Sequence, residues 1–159
     1  MVTLLLSIVC CVPPSINTTP LLNAMYQVES GGGKYIVGDG GKAIGPYQIW
    51  KAYWQDAVEY DKTIGGKYED CYNKEYSEKI IRAYWARYAP KNATLEQLAR
   101  IHNGGCAILK RQGSKAWANT TVYWTKIQAE FRKVNFKPAP SWFQDIIPIP
   151  TRSGELWTN

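Results

Sequence analysis

At 159 residues the chain suits one domain with a tail, and it is long enough to bury a real core. With 45% hydrophobic and 13% aromatic residues, it is too apolar to be disordered over most of its length. Its net charge of +6 and pI of about 9.1 suit polyanionic surroundings such as bacterial walls, anionic membranes or nucleic acid, but no Lys/Arg-rich block or nucleic-acid motif is present.

The segment from Val2 to Val12 is predominantly apolar. It is too short to span a bilayer and has the length of a secretory signal's apolar region; otherwise it packs on the domain. We therefore expect a signal and lead-in over 1–19, a secreted extracellular product and no stable membrane insertion. Cys10 and Cys11 would leave with the signal, so Cys71 and Cys106 remain. Two leftover cysteines in a secreted chain suggest one bridge, with two free buried thiols as the alternative. Asn17, Asn92 and Asn119 each open an N-glycosylation pattern.

A first helix starts near Pro20, because proline suits a first helical position. Leu21, Leu22, Met25 and Val28 share one face of it, and Gly31 stops it. Glu29 falls in the last turn, where the negative end of the helix dipole disfavours the ionised form. Tyr35-Ile36-Val37 and Gly38-Asp39-Gly40-Gly41 then read as a small β-hairpin region with Asp39 near its turn. Residues 45–60 read as a helix, as do 77–88. Thr94 and Gln97 form a capping box for a helix stopped at Gly104-Gly105. A last long helix opens at Thr120 or Thr121 and closes near Val134. Four prolines after Asn135 rule out a regular helix in 135–159, and Trp142, Phe143, Ile146 and Ile147 point to an extended tail laid partly on the domain.

Glu29 and Asp39 are candidates for a sugar-cleaving acid pair, one carboxylate on a rigid helix end and the other in a polar glycine turn. Glycosidases need two such groups in different protonation states. By residue type alone, Glu29 is equally an ordinary solvated side chain and Asp39 a turn-former that bonds its own backbone. Ser30, Tyr47, Gln48, His102 and Asn103 are candidates for lining the cleft, and His102 also fits a core position. The 7 Trp and 11 Tyr against 3 Phe supply amphipathic rings for cores and for clefts that stack on sugars. One histidine and two well-separated cysteines make no metal-ligand cluster, and no cofactor motif is present.

Glu29-Ser30-Gly31, Gly45-Pro46-Tyr47-Gln48-Ile49, Tyr53-Trp54-Gln55-Asp56, Tyr84-Trp85-Ala86-Arg87-Tyr88, Ala99-Arg100-Ile101-His102-Asn103-Gly104-Gly105 and Thr121-Val122-Tyr123-Trp124 follow in this order. The ordered set resembles invertebrate-type, or destabilase-like, lysozymes over roughly residues 22 to 130. Glu-Ser-Gly ahead of a glycine-preceded Gln block is also similar to lytic transglycosylases of the wider lysozyme-like superfamily. The resemblance implies an α+β, predominantly helical lysozyme-like fold over 20–134 with a small β region beside the cleft. It implies hydrolysis of the β-1,4 bond between N-acetylmuramic acid and N-acetylglucosamine in peptidoglycan. Glu29 matches the family's general acid, Asp39 its second carboxylate and His102 a position near its cleft.

The family is usually dense in disulfides, with cysteines flanking Glu-Ser-Gly. None stands there in this chain, so stability must come from the core, with one bridge, typically worth about 2–4 kcal/mol, as its possible supplement. We expect a monomer acting on peptidoglycan without nucleic-acid partners. Two other readings stay open. One is a cationic wall-binding antimicrobial protein with little catalysis. The other is an isopeptidase using Ser30 or another serine with His102, for which no nucleophile-elbow motif is present.

Overall fold

The structure is a computed structural model and describes residues 16–135. The expected signal, Cys10, Cys11 and the proline-rich tail with Trp142 and Phe143 lie outside the described residues.

Helix α1 (Thr19–Ser30) opens where Asn17 Oδ1 accepts the Thr19 N–H at 3.0 Å, with Pro20 in the first turn. Leu21, Leu22, Ala24 and Met25 bury its inner face. Gly31 ends it in the left-handed region at φ 61°, a conformation glycine adopts without a Cβ penalty. The Gly31 and Gly32 amides close back on Gln27 O and Tyr26 O at 3.0 and 3.2 Å. Glu29 thus sits on the last turn, as its spacing implies.

Three two-residue strands follow: β1 (Val37–Gly38), β2 (Ala43–Ile44) and β3 (Ile49–Trp50). They form an antiparallel sheet in chain order, with Val37 opposite Ile44, and Ala43 opposite Trp50. Asp39 begins the 3-10 turn between β1 and β2, as expected of the hairpin. The helix expected over 45–60 is shorter, because α2 covers only Lys51–Tyr60. Gly45 and Gln48 have φ 75° and 50°, which no right-handed helix can hold, so residues 45–50 make a turn and β3 instead.

Helix α3 (Lys74–Tyr88) starts three residues before the expected Ser77, because Asn73 Oδ1 caps it through the Tyr76 N–H at 2.8 Å. Helix α4 (Leu95–Gly104) carries the expected box, with Thr94 Oγ1 accepting the Gln97 N–H and Gln97 Oε1 accepting the Thr94 N–H. Helix α5 (Lys115–Asn135) begins earlier than Thr120. Ser114 Oγ accepts the Trp117 N–H at 3.1 Å, while the Thr120 and Thr121 hydroxyls donate back to Trp117 O inside the helix.

The core lies between α1, α3, α4 and α5, with Leu21, Met25, Ile80, Ile81, Ile101 and Ile127 at 0% exposure. Each such side chain contributes about 1.5–3 kcal/mol through burial. The buried Arg100 ties α4 to α5: it bonds Glu96 at 2.7 Å and Thr120 Oγ1 at 2.8 Å and lies 4.1 Å from the Trp117 ring. No described helix is long and apolar enough to cross a membrane.

The expected Cys71–Cys106 bridge is corrected: both thiols are free. Cys71 lies in the core at the start of α3, where its carbonyl accepts the Ser77 hydroxyl at 2.6 Å. Cys106 follows α4 and lies beside Tyr84. One thus stands by the start of α3 and the other beside Tyr84 farther along the same helix. Burial, then the neighbouring Asp70 charge, pushes the Cys71 thiol up to about 12.

Glu78 on α3 joins the helices to the loop before β3 by accepting the Tyr47 hydroxyl at 2.8 Å and the Lys74 ammonium at 2.5 Å. Burial works to raise its carboxyl, but the Lys74 and Tyr47 hydrogen bonds outweigh it and hold it below the ordinary 4.5. A lowered folded-state value contributes stability that is present above the ordinary value and lost as pH falls through the folded one. Thermal melts of wild type and Glu78→Gln should therefore differ at neutral pH and converge on acidification below 4.5. A gap that stays constant would show that this carboxylate's charge does not support the fold.

Candidate active site

Glu29 lies at the meeting point of four helices. Its Oε1 is 3.6 Å from His102 Nε2 on α4, and the two side chains keep only 16% and 4% exposure. Tyr53 on α2 and Tyr123 on α5 complete the surroundings. Burial, then the Tyr84 and Glu29 charges, pushes the Tyr53 phenol well up. Burial, then the Glu29 charge, does the same to Tyr123. The Tyr123 hydroxyl is buried and faces the Glu29 carboxylate, which raises the phenol further through its charge and hydrogen bonding.

His102 connects this carboxylate to a cavity. Its Nδ1 lies 3.3 Å from the Tyr53 hydroxyl, and the Tyr53 ring stacks on Tyr84 at 3.6 Å between centroids. A cavity of about 260 Å³ opens against these groups, with Gln48, Trp50, Tyr53, His102 and Asn103 among its lining residues. Both imidazole nitrogens therefore have a partner, Glu29 on one side and Tyr53 on the other. A larger cavity of about 380 Å³ lies between the start of α1 and the end of α5. Its one carboxylate, Glu130, is paired with Lys133 at 2.6 Å, whereas Glu29 and Asp39 line neither cavity and meet the smaller one through His102 and Trp50.

Asp39 approaches that smaller cavity from the sheet. It is exposed, has φ 49°, and its Oδ2 accepts the indole N–H of the cavity residue Trp50 at 3.1 Å. Asparagine and aspartate tolerate this left-handed conformation better than other side chains.

The structure brings His102, Asn103 and Gln48 to the cavity, as the sequence reading expects. Gln48 also clamps the loop beside it, since its Nε2 donates to Gly45 O at 3.0 Å and Tyr35 O at 3.2 Å. Two expectations are corrected. Tyr47 is 0% exposed and its hydroxyl bonds Glu78, so it is a core residue and not a cleft wall. Ser30 is also 0% exposed. Its hydroxyl donates to Tyr26 O at 3.0 Å and accepts the Gly33 N–H at 2.9 Å, bracing the end of α1. Trp50, Tyr53 and Tyr123 were not singled out from sequence. The helical spacing that marks Tyr53 and Tyr123 as apolar-face residues says nothing of where their hydroxyls end. Among the described residues, no three His, Cys, Asp or Glu side chains are placed to hold a metal ion.

A mostly helical scaffold, a short antiparallel sheet at the cavity and an enclosed carboxylate closing the first helix define the class as lysozyme-like. Residues 18–129 match the destabilase family, and the chain belongs to it. Two solved structures share the fold. One is the Tapes japonica lysozyme, with 33% identity over 69% of this chain and 87% of that one and a TM-score of 0.52. The other is a chain of the complex of Aeromonas hydrophila PliI with Meretrix lusoria lysozyme, with 26% identity over 70% and 88% and a TM-score of 0.55. No curated protein matches the chain.

Proposed function

We propose that the chain is a secreted, monomeric muramidase. It hydrolyses the β-1,4 bond between N-acetylmuramic acid and N-acetylglucosamine of bacterial peptidoglycan, in defence or digestion. The observation that carries this reading is the Glu29 carboxyl, enclosed at 16% exposure against His102 beside the cavity in a destabilase-family domain. Glu29 donates its proton to the glycosidic oxygen as the bond breaks. Asp39, ionised, stabilises the oxocarbenium-like centre, following the two-carboxylate scheme of glycosidases. His102 orients Glu29 from one side, and Tyr53 holds His102 from the other. The net charge of +6 favours approach to anionic walls. A serine isopeptidase finds no support in Ser30, whose buried hydroxyl is already bonded on both sides.

The test is the chemistry of the released fragments. Purified protein should generate new sugar reducing ends from peptidoglycan, while peptide cross-links stay intact. Cleaved cross-links without reducing ends would replace this reading by the isopeptidase. Asp39→Asn should lower the rate of reducing-end release by about 10²–10³, the usual effect of removing one preorganised electrostatic group. An unchanged rate would remove Asp39 from the mechanism.

A further inference from the structure

Trp50 stands at the cavity rim with no part in the two-carboxylate scheme. It lines the cavity with His102 and Asn103, yet the residue is 47% exposed. In the sheet its cross-strand neighbour is Ala43, and the neighbour beyond that is Gly38. Residues opposite one another in this way share a face. Ala43 is buried there and the Gln48 amide fills the space over Gly38, yet Trp50 itself stays half exposed beside the cavity. Its one polar atom is already committed, since Nε1–H donates to Asp39 Oδ2 at 3.1 Å. What remains for a ligand is the face of a ring held at a fixed angle. Among the described residues, the two non-glycine positions with positive φ are Asp39 and Gln48. One anchors the indole and the other sits two residues before it, and strained backbone of this kind concentrates at ligand sites.

We propose that Trp50 is both a binding and a positioning residue. Its exposed face stacks on the apolar C–H face of a pyranose ring of a β-1,4-linked N-acetylhexosamine chain. Its indole N–H meanwhile holds the Asp39 carboxylate in place at the same end of the cavity. The ligand class follows from the surface on offer: a π face with its N–H engaged binds ring C–H groups, and the neighbouring Asn103 amide suits hydroxyls and acetamides. The positioning half rests on the muramidase reading of Asp39, whereas the stacking half does not.

Calorimetric binding of tetra-N-acetylchitotetraose and steady-state clearing of a wall suspension, on the full chain and two variants, separate the halves. Trp50→Ala should weaken oligosaccharide binding about tenfold, the scale of one lost aromatic stacking contact. Trp50→Phe keeps a ring and loses the N–H. It should bind within about threefold of wild type but turn over about tenfold more slowly at unchanged KM, as expected when a hydrogen bond to a charged group is lost. Wild-type binding by Trp50→Ala overturns the stacking. Wild-type kcat in Trp50→Phe overturns the positioning. Should Asp39→Asn retain full turnover, the muramidase role of Asp39 fails, and the Trp50→Ala binding result still decides the stacking.

Discussion

Glu29→Gln should slow the clearing of a bacterial-wall suspension by about 10²–10⁴, the range a positioned general acid contributes. The amide keeps the volume of the carboxyl and can still meet His102, so the fold and wall binding should persist. The substitution removes the transferable proton and nothing of comparable size. The measurement needs three readouts on one preparation: clearing rate, sedimentation with walls, and melting temperature. Clearing within about tenfold of wild type would mean that another group delivers the proton, and Asp56, the carboxylate that lines the cavity and lies 3.9 Å from Arg87, would be the first to test. Glu130 is paired with Lys133, and Glu78 bonds both Tyr47 and Lys74. If bacterial killing survives while clearing is lost, the killing comes from charge and surface and not from hydrolysis.

The second large effect is on folding. Gly45 has φ 75°, and a Cβ built there would lie 1.8 Å from the Cys71 carbonyl oxygen and 2.7 Å from its carbon. Both atoms are backbone, so no rotamer change relieves the clash. The same residue donates its N–H to Ile36 O at 2.8 Å and accepts from the Gln48 N–H at 3.1 Å, so any shift disturbs the sheet and the cavity loop together. Gly45→Ala should cost at least about 3 kcal/mol, beyond the ordinary range of point substitutions. For a domain of this size that is a fall on the order of 15 °C in Tm. Gly65 is the control, with φ 59° but open space around the built Cβ. Its alanine variant should show only the left-handed strain of about 1 kcal/mol. Equal losses at the two positions would mean that the contact with Cys71 is not what demands glycine.

What could be read from sequence is local. The ends of α1 and α4 depend on a glycine beside the last turn and on a threonine three residues from a glutamine, and both signals lie within one helical turn of what they control. The positions of Glu29 at a helix end and of Asp39 in a turn were legible for the same reason, each being set by its immediate neighbours. The start of α5 was missed because Ser114 and Thr120 are equally good caps on paper; Ser114 takes the Trp117 N–H, while Thr120 lies inside the helix and accepts from Arg100. Tyr47 and Ser30 stand inside the most recognisable motifs yet face inward, because Glu78 and the backbone around Tyr26 take their hydroxyls. Residue type cannot tell a cleft hydroxyl from a core one. Trp50 was hidden among 7 tryptophans, and its place at the cavity depends on a strand pairing two residues long.

The unlinked Cys71 and Cys106 have a wider consequence. Among the described residues no covalent tie holds one helix to another, so cohesion comes from side-chain packing and from polar staples such as Arg100. The cohesion of these helices therefore does not wait on a disulfide forming.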